Sequence, residues 1–376
     1  MKYLVLGAGL MGKAVAYDLL QQKDTTKVIL ADNNPEELKK AKDFLQRDEV
    51  TSSLETELFN ANNESEIENL FQNVDAAVAA IHYGFNLVFT KIAIKTKTHL
   101  CDLGGNNSIV DEQLKLSQEA KAADISIIPD CGLAPGMTSV LVKWGLEKFN
   151  WADTVKIRVG GLPQNPKGEL KYERLFSVEG LINEYIEPVR ILRNGKIEII
   201  EPLIEIEEIE FPNVGAGRDQ TLLEAFTTSG GTSTLIETYK TRLTNLDYKT
   251  IRYPGHCKVI REMYEAEMFF GKKRKDTAKY LEKTIPLGKE DITFVKIIFE
   301  GGKDGVTPSQ HELIIIDKAK PPFTSMMRMT AFPAAIISAM QARGQITKAG
   351  VHPQERCVES DLFINELKKR EIGILL

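Results

Sequence analysis

The sequence predicts an α/β protein of two domains: a doubly wound parallel sheet at the N-terminus, then an α+β domain with a largely antiparallel sheet. Three observations support this fold class. A short apolar strand from Tyr3 to Leu6 leads into a glycine-rich turn and a helix. Strands and helices then alternate to about residue 130, as a parallel sheet requires. After Pro135, strand-like runs joined by turn residues replace this alternation.

A glycine fingerprint follows the first strand. Gly7 permits a tight turn, Gly9 lets the backbone approach a pyrophosphate, and Gly12 lets the helix pack against the strand. Leu10 and Met11 belong to the first turn of that helix, whose N-terminus attracts negative charge. We therefore predict a dinucleotide-binding domain of the Rossmann type, with these five residues contacting the cofactor.

The second apolar strand, Val28 to Ala31, ends at Asp32, which lies 20 residues beyond Gly12. This is the position of a carboxylate that accepts hydrogen bonds from the ribose hydroxyls. Its charge would repel the additional phosphate of NADP, and neither Asn33 nor Asn34 supplies the cation that NADP would need. The sequence therefore predicts NAD as the cofactor, with Asp32 and Asn33 in its site. The alternative is that Asp32 is an ordinary acid at a strand end.

The following elements continue the alternation. Asn34 and Pro35 are the N-cap and first-turn residues of a helix through Leu38 and Leu45. Three buried strands and two helices complete the predicted domain: strand Ala76 to Ile81, helix Phe85 to Lys95, strand His99 to Leu103, helix Asp111 to Ala123 and strand Ile125 to Pro129.

Ligands of such sheets bind at the carboxyl ends of the strands. This rule selects the loops at 82–84, 102–106 and 130–136, which we expect to face the nicotinamide ring. Ile81, Leu103 and Gly104 lie at these strand ends and are further predicted cofactor contacts.

The second domain begins with a predicted helix from Met137 to Phe149. The strand-like runs that follow are Val155 to Val159, Ile197 to Ile200, Ile204 to Ile209, Phe294 to Phe299 and Glu312 to Ile316, with a turn at Gly301 to Gly305. We predict domain boundaries at 1–135, 136–325 and 326–376. The last segment contains amphipathic helices at Met329 to Arg343 and Glu359 to Lys369, which we expect to pack back on the first domain.

The composition and net charge indicate which kinds of binding partner to expect. The 376 residues carry a net charge of −5, which gives no reason to expect nucleic acid or an anionic membrane as a partner. The four cysteines are scattered without zinc-ligand spacing, so we expect no metal and a reducing cytoplasm. Because the chain opens on a strand and has no membrane-length apolar run, we expect neither a signal peptide nor a membrane span.

Four motifs together resemble the saccharopine dehydrogenase family. They are the fingerprint at Gly7 to Gly12, the loop Gly132 to Gly136, the segment Phe226 to Gly231, and the run Arg252 to His256. Within this family, the moderate length and the NAD-type acid are most similar to members that oxidise the ε-amino group of lysine. The resemblance implies oxidative deamination of L-lysine with NAD to the 6-semialdehyde, which cyclises to a piperideine carboxylate. It also implies a homo-oligomer, a dimer or higher, acting on a small amino-acid substrate.

One position departs from the family pattern. Saccharopine reductases commonly carry an acid before the proline of the glycine-proline loop, and here that residue is Ala134. Without this carboxylate, a second amino-acid arm loses a partner, so free lysine becomes the favoured substrate.

Oxidation at the ε-carbon requires a proton acceptor. The ε-ammonium has a reference pKa of about 10.4, so it is protonated near neutral pH and must lose a proton before the ε-carbon can release hydride. Candidate acid or base groups in the selected loops are His82, Tyr83, Asp102 and Asp130, and the second domain adds His256. Four of them also have a structural interpretation: His82 as a cap of a strand end, the two aspartates as caps of helices or turns, and His256 as a cap of a helix from Lys258 to Phe270.

The substrate carboxylate favours a guanidinium, which donates two parallel hydrogen bonds. Arg218 is the first candidate because it lies in a glycine-rich turn and resembles the arginine that family members use. Arg252 is the second, although an ion pair on a strand surface explains it equally well.

Tyr172 either lines the cleft or belongs to the core. Thr228 and Ser229 either hold the carboxylate or, as we favour, cap a helix through Leu235 and Tyr239.

Two other functions stay open. The first is a reductase of the saccharopine or carboxynorspermidine type that runs toward C–N bond formation. The second belongs to another class, a catalytically inactive protein that senses NADH.

Overall fold

The computed structural model of the chain describes residues 1–45, 53–212, 220–302 and 308–376. These residues divide into two compact units. Unit 1 contains Met1–Leu141 and Met327–Arg370, and unit 2 contains Val142–Met326 and Glu371–Leu376. Each unit is therefore built from two separate stretches of the chain. Within the described ranges, no helix is both long and apolar enough to cross a membrane.

Unit 1 contains a parallel sheet, as the sequence predicts. Its seven described strands are β1 (Lys2–Leu6), β2 (Lys27–Asp32), β3 (Ser53–Leu58), β4 (Ala76–Ala79), β5 (His99–Asp102), β6 (Ser126–Ile128) and β15 (Gly350–Val351). They pair in the order β15-β6-β5-β4-β1-β2-β3. The chain starts in the middle of the sheet and builds outward on both sides, which is the doubly wound arrangement.

Helices alternate with these strands. Those that include unit 1 residues are α1 (Leu10–Leu20), α2 (Pro35–Leu45), α3 (Glu64–Phe71), α4 (Asn86–Thr96), α5 (Asn107–Lys115), α6 (Ser117–Ala122), α7 (Met137–Lys148), α12 (Ser325–Ala342), α13 (Gln354–Cys357) and α14 (Ser360–Lys369). A single 3₁₀ turn, Tyr83–Phe85, precedes α4. The Asn34 side chain accepts hydrogen bonds from the amides of Glu36 and Glu37, so the predicted N-cap of α2 is confirmed.

One predicted helix of unit 1 differs from the structure. The segment Asp111 to Ala123 is not a single helix, because it belongs to α5 and α6, which are separated at Leu116. Helix α5 also begins earlier, at Asn107, because the Asn106 side chain accepts hydrogen bonds from the amides of Ser108 and Ile109.

Unit 2 contains a mixed, mostly antiparallel sheet of eight strands in its described part. They are β7 (Ala152–Pro163), β8 (Val189–Arg193), β9 (Lys196–Ile200), β10 (Glu207–Pro212), β11 (Gln220–Thr227), β12 (Asn245–Arg252), β13 (Asp291–Gly302) and β14 (Pro308–Lys318). The main order is β10-β11-β12-β7-β13-β14, and only the pair β12 and β7 is parallel among the described strands. The predicted α+β class with a largely antiparallel sheet is confirmed.

One predicted strand of unit 2 begins later than expected. The run Ile204 to Ile209 becomes extended only at Glu207. The reason is local, because Leu203 has φ +63° and Glu205 has φ +52°, and these left-handed conformations interrupt a strand. The predicted turn at Gly301 to Gly305 lies partly outside the described residues.

Helices cover part of the unit 2 sheet. They are α8 (Val178–Ile186), α9 (Leu235–Tyr239), α10 (His256–Glu265) and α11 (Gly271–Thr284). Leu181 and Ile182 of α8 pack with Ile260 of α10 and Leu281 of α11 in one apolar cluster that also contains Phe226 of β11. This packing fixes α8 against the end of β11, and those candidate residues of unit 2 that the structure describes lie around that junction.

Candidate functional site

The glycine turn after β1 is tightly packed at Gly7 and Gly12 and open at Gly9. Gly7 has φ +104°, and a Cβ there would lie 2.6 Å from the carbonyl oxygen of Ala80 and from Cγ2 of Ile81. A Cβ at Gly12 would lie 1.7 Å from the carbonyl oxygen of Gly7, whereas a Cβ at Gly9 would meet no atom within 4 Å. The open side of the turn is therefore at Gly9, and this shape fits a pyrophosphate.

Helix α1 presents its first turn at the same place. Its N-cap residue is Gly9, and no side chain caps the helix there. The first amides of an α-helix, here those that include Leu10 and Met11, have no intrahelical acceptor. They are available to phosphate oxygens, so the residues of this turn fit a dinucleotide.

Asp32 lies at the end of β2 beside the glycine turn. Its Oδ2 accepts a hydrogen bond of 2.7 Å from the amide of Ala8, and its Oδ1 accepts one of 2.9 Å from the amide of Asn34. A carboxylate has about four acceptor positions. Each oxygen therefore keeps capacity for a ribose hydroxyl, with Asn33 in the turn between Asp32 and Asn34.

The structure brings the loops after β4, β5 and β6 together. A Cβ at Gly105 would lie 2.7 Å from the ring of Tyr83, which shows that this ring covers the loop after β5. A Cβ at Gly104 would lie 1.8 Å from Oδ1 of Asp130, so the loop after β6 contacts the same segment. The expected convergence of these loops at the carboxyl edge of the sheet is observed.

Asp102 organises this convergence. It is 0% exposed, and its carboxylate accepts hydrogen bonds from the Gly104 amide at 2.8 Å, the Asp130 amide at 3.2 Å and the Gln113 Nε2 at 2.8 Å. Burial raises the pKa of Asp102 above its usual value. The interpretation of Asp102 as a turn cap is confirmed, and its full burial separates it from a substrate proton.

His82 and Tyr83 remain partly accessible in the loop after β4. Nδ1 of His82 accepts a hydrogen bond of 3.1 Å from the Gly84 amide, so His82 caps the 3₁₀ turn Tyr83–Phe85 rather than the end of β4. The two rings stack with their centroids 4.2 Å apart. His82 is exposed and Tyr83 is half-buried, whereas Asp130 is buried and has φ +61°.

Arg252 of unit 2 is at the end of β12 and is only 2% exposed. Its Nε donates to the Tyr185 hydroxyl at 3.2 Å, its Nη1 donates to the carbonyl of Ile251 at 2.9 Å, and its Cζ lies 4.8 Å from the centre of the Tyr172 ring. The alternative of a surface ion pair is therefore wrong. Two of the five N–H donors of the guanidinium are engaged in this way, and burial removes the group from water.

His256 is part of the same buried arrangement. It is 1% exposed, and its Nδ1 lies 2.8 Å from the Leu170 carbonyl and its Nε2 3.0 Å from the Tyr185 hydroxyl. A carbonyl only accepts, so Nδ1 carries the proton and Nε2 accepts from Tyr185. Burial, and secondly the charge of Arg252, lower the pKa of His256 to about 3.

The predicted roles of His256 need correction. Helix α10 begins at His256 itself, with Gly255 at its N-cap, and it ends at Glu265. His256 therefore does not cap a helix that starts at Lys258. A buried imidazole with both nitrogens bonded is also poorly suited to receive a proton from a substrate.

Thr228 and Ser229 do not cap α9, because that helix begins only at Leu235. The Thr228 hydroxyl lies 2.6 Å from that of Thr250. The Ser229 hydroxyl donates to the Asn183 carbonyl at 3.2 Å, and its amide donates to the Glu184 carbonyl at 3.1 Å. The segment therefore holds the last turn of α8, and the capping prediction is wrong.

Two further candidates remain. Tyr172 is buried in the apolar cluster of unit 2, but it lies in a segment without regular structure rather than in a strand. Arg218, the first candidate for the substrate carboxylate, lies in 213–219, outside the described residues.

Sequence reasoning missed Glu184 in the last turn of α8. Its Oε2 lies 3.6 Å from Nη2 of Arg252, and 32% of its side chain is exposed. Surrounding protein atoms displace water from the carboxyl and raise its pKa to about 7, while the charge of Arg252 opposes this rise. The sequence signal that could have indicated Glu184 is an acidic residue within the largely apolar segment Leu181 to Ile186.

No group of three or more histidine, cysteine, aspartate or glutamate side chains that could hold a metal ion occurs in the part of the chain that the structure describes. The glycine turn and Asp32 fit a dinucleotide because of their own geometry.

Comparisons with known proteins agree with this organisation. Residues 3–128 match the family model described as saccharopine dehydrogenase NADP binding domain, and residues 132–373 match that of the saccharopine dehydrogenase C-terminal domain. A solved structure of apo saccharopine dehydrogenase (L-Glu forming) from Saccharomyces cerevisiae has a TM-score of 0.80 and 16% identity, covering 100% of both chains. This similarity shows the shared fold.

A curated relative is the mitochondrial alpha-aminoadipic semialdehyde synthase of Rattus norvegicus, 24% identical over 140 residues. The match covers 36% of this chain and 15% of the rat protein. The two family models together span both the dinucleotide turn and the arrangement around Arg252. On this evidence the chain belongs to the saccharopine dehydrogenase family.

Proposed function

We propose that the protein is an NAD-dependent L-lysine 6-dehydrogenase, which oxidatively removes the ε-amino group of free L-lysine. The observation that carries the choice of substrate within the family is Ala134. It lies in the tight loop between Gly132 and Gly136, which are joined by a β-bridge. A methyl group there cannot pair with the polar groups of a second amino-acid arm, which favours a substrate with a single amino-acid group.

The choice of NAD is supported by Asp32. Its carboxylate lies at the end of β2 beside the glycine turn, the position from which an acid of a Rossmann domain binds ribose hydroxyls, and its charge would repel the additional phosphate of NADP. The following residues, Asn33 and Asn34, carry no charge that could compensate.

The name of the rat relative supports a semialdehyde as the proposed product of the reaction. Oxidation of lysine at its ε-carbon yields the semialdehyde of 2-aminoadipate, and that relative is named as an aminoadipic semialdehyde synthase. The balanced reaction consumes lysine, NAD⁺ and water and gives the semialdehyde, NADH, ammonium and one proton.

The chain and the cofactor have separate tasks in this reaction. The bound nicotinamide supplies the hydride acceptor. The glycine turn and Asp32 hold the dinucleotide, and the converging loops after β4, β5 and β6 supply the accessible His82 and Tyr83. The ε-ammonium must lose a proton before the C–H bond breaks, so a proton acceptor is required in the substrate site.

The direct test is lysine-dependent formation of NADH by the purified protein, with ammonium measured in the same reaction. We expect equal amounts of NADH and ammonium, and a preference for NAD over NADP. A protein that binds NAD but does not oxidise lysine would refute the proposed substrate.

The matched family models favour a second candidate, since one is described as an NADP binding domain. This candidate is a reductase of the saccharopine or carboxynorspermidine type that forms a C–N bond. Incubation of the protein with lysine and NAD, compared with an aldehyde, an amino acid and NADPH, separates the two. The reductase would consume NADPH only when both organic substrates are present.

A further inference from the structure

Glu184 has a rigidly held backbone. Two contacts from Ser229 fix the last turn of α8: its hydroxyl donates to the Asn183 carbonyl, and its amide donates to the Glu184 carbonyl. The neighbouring side chain on the helix, Tyr185, is held by Arg252 and His256. The Glu184 carboxylate therefore projects from a fixed position, as a binding residue requires.

The carboxylate of Glu184 is incompletely satisfied. The ion pair with Arg252 spans 3.6 Å, which is too long for a hydrogen bond. In the ranges that the structure covers, no other group donates a hydrogen bond to it. A carboxylate that is partly removed from water normally accepts several hydrogen bonds. Glu184 therefore retains free acceptor positions together with the accessible surface that would let a ligand reach them.

The surroundings of Glu184 suit a compact cation. Burial raises the pKa of the tyrosines at 172, 185 and 248, and the charge of Glu184 adds to each rise, so all three hydroxyls lie within its electrostatic reach. The Tyr248 ring lies against Gly231, where a Cβ would come within 2.3 Å of it. Aromatic faces attract cations, and hydroxyl oxygens can accept their hydrogen bonds. The one guanidinium that contacts Glu184 in the described residues, Arg252, is buried and already bonded.

We propose that Glu184 binds a primary ammonium group of the substrate, and that Arg252 and Tyr185 are positioning residues that hold the carboxylate and its helix. The proposal rests on the proposed function only for the identity of the substrate as lysine. An ammonium group supplies the hydrogen-bond donors that the carboxylate lacks, and its charge offsets the cost of removing the carboxylate from water. An anionic group at the same position would meet the negative charge of Glu184.

Lysine has two ammonium groups, and the same chemistry describes both. If Glu184 receives the α-ammonium, it selects amino acids over simple amines. If it receives the ε-ammonium, it also accepts the proton that must leave before oxidation, and its pKa of about 7 suits that role. A substrate that lacks the α-amino group distinguishes the two ammonium groups.

The variant is Glu184→Gln, which keeps the shape and removes the charge. The matched control is Glu179→Gln, a change to an exposed glutamate on the same helix that pairs with Arg274. We expect Glu184→Gln to lower kcat/KM for lysine at least tenfold with unchanged affinity for NADH, while the control stays within twofold of the wild type. If the two variants have the same kcat/KM for lysine, the proposal is overturned.

A second substrate identifies the ammonium group. The compound 6-aminohexanoate is lysine without its α-amino group. If the loss caused by Glu184→Gln disappears with this compound, Glu184 binds the α-ammonium, and if the loss persists, Glu184 binds the ε-ammonium. Should the glutamine variant fail to fold, Glu184→Ala removes the carboxylate without adding a polar group, and normal kcat/KM in that folded variant would overturn the proposal.

Binding measurements separate this inference from the proposed function. Calorimetry with the NADH-loaded protein can compare lysine, glutamate, 6-aminohexanoate and putrescine for the wild type and Glu184→Gln. If the wild type fails to oxidise lysine but binds one of these amines through Glu184, only the proposed function is refuted. If none of them binds in a manner that depends on Glu184, the Glu184 proposal fails.

Discussion

The carboxylate of Asp32 accepts a hydrogen bond of 2.7 Å from the backbone amide of Ala8. This bond joins the end of β2 to the glycine turn after β1, so the two parts of the proposed nucleotide site are held together by the protein itself. Asp32 is thereby oriented before any ligand binds. Its side chain therefore loses little conformational entropy when the ligand binds.

Asp32→Ala should lower the affinity for NAD about tenfold to hundredfold, because hydrogen bonds to a charged acceptor contribute about 1.5–3 kcal/mol. The relative use of NADP should increase, since the repulsion of its phosphate is removed. The measurement is kcat/KM for both cofactors, with the exposed Asp43→Asn of α2 as the control. An unchanged cofactor preference would exclude Asp32 from the ribose site.

Gly9→Ala and Gly12→Ala should have different effects. A Cβ at Gly9 meets no atom within 4 Å, so that variant should lose no more than about 1 kcal/mol of unfolding free energy but bind the dinucleotide at least tenfold more weakly. A Cβ at Gly12 would lie 1.7 Å from the Gly7 carbonyl oxygen, so the second variant should lose stability as well as binding. Thermal unfolding and NADH fluorescence measure the two properties. Normal NADH affinity in Gly9→Ala would contradict the pyrophosphate assignment.

Asp102→Ala should lower the free energy of unfolding by about 3 kcal/mol, because it leaves the half-buried Gly104 amide and the buried Gln113 side chain without this acceptor. Asp102→Asn should be milder, since Oε1 of Gln113 has no partner among the described residues and the amide can turn to accept the new donor. Denaturant unfolding and lysine turnover distinguish the two variants. A fully stable Asp102→Asn variant without turnover would restore Asp102 as a catalytic residue.

His256 should make the protein less stable in acid. In the unfolded chain its pKa is about 6.5, whereas burial lowers the pKa to about 3 in the folded protein. Between these values the unfolded state binds a proton that the folded state does not, so stability is complete above pH 6.5 and falls as the pH decreases, by up to about 1.4 kcal/mol per pH unit.

The measurement for His256 is the free energy of unfolding from pH 7 to pH 4. His256→Gln should lose stability at pH 7, because two hydrogen bonds are weakened, but should show a shallower decline in acid than the wild type. His311→Gln, at an exposed histidine that stacks on Phe149, is the control. Identical slopes for the wild type and His256→Gln would contradict the pKa difference.

The pH dependence of lysine oxidation should report on Glu184. Its pKa of about 7 means that the carboxyl becomes neutral as the pH decreases through that value, and a neutral carboxyl binds an ammonium group weakly. The charged and titratable groups around it are Arg252, Tyr185, Tyr172 and Tyr248, whose pKa values lie well above this range. We expect kcat/KM to fall below about pH 7 in the wild type and to vary less in Glu184→Gln. Parallel pH profiles would assign this dependence to another group.

The sequence predicted five of the seven described strands of unit 1 because its signals there are local. A run of buried residues from Tyr3 to Leu6, three spaced glycines and an acid after the next strand each impose a structure on their own neighbours. The failure at Asp111 to Ala123 is also local, since an Asn106 cap competes with a start at residue 111.

The arrangement in unit 2 could not be obtained in this way. Arg252 contacts Tyr185 and Tyr172, which are distant in sequence, and no periodicity indicates that these elements meet. Thr228 and Ser229 have the composition of a helix cap, but tertiary contacts with Thr250 and α8 use their hydroxyls instead. Glu184 was missed because its significance comes from the buried cation beside it.

The sheet of unit 1 is completed late in the chain, because β6 ends at Ile128 while its neighbour β15 begins at Gly350. During synthesis on a ribosome, the edge of β6 therefore stays without this partner until Gly350–Val351 emerges. The nascent N-terminal region must avoid aggregation throughout that interval, and a fragment that stops at Leu141 would keep this edge permanently unpaired.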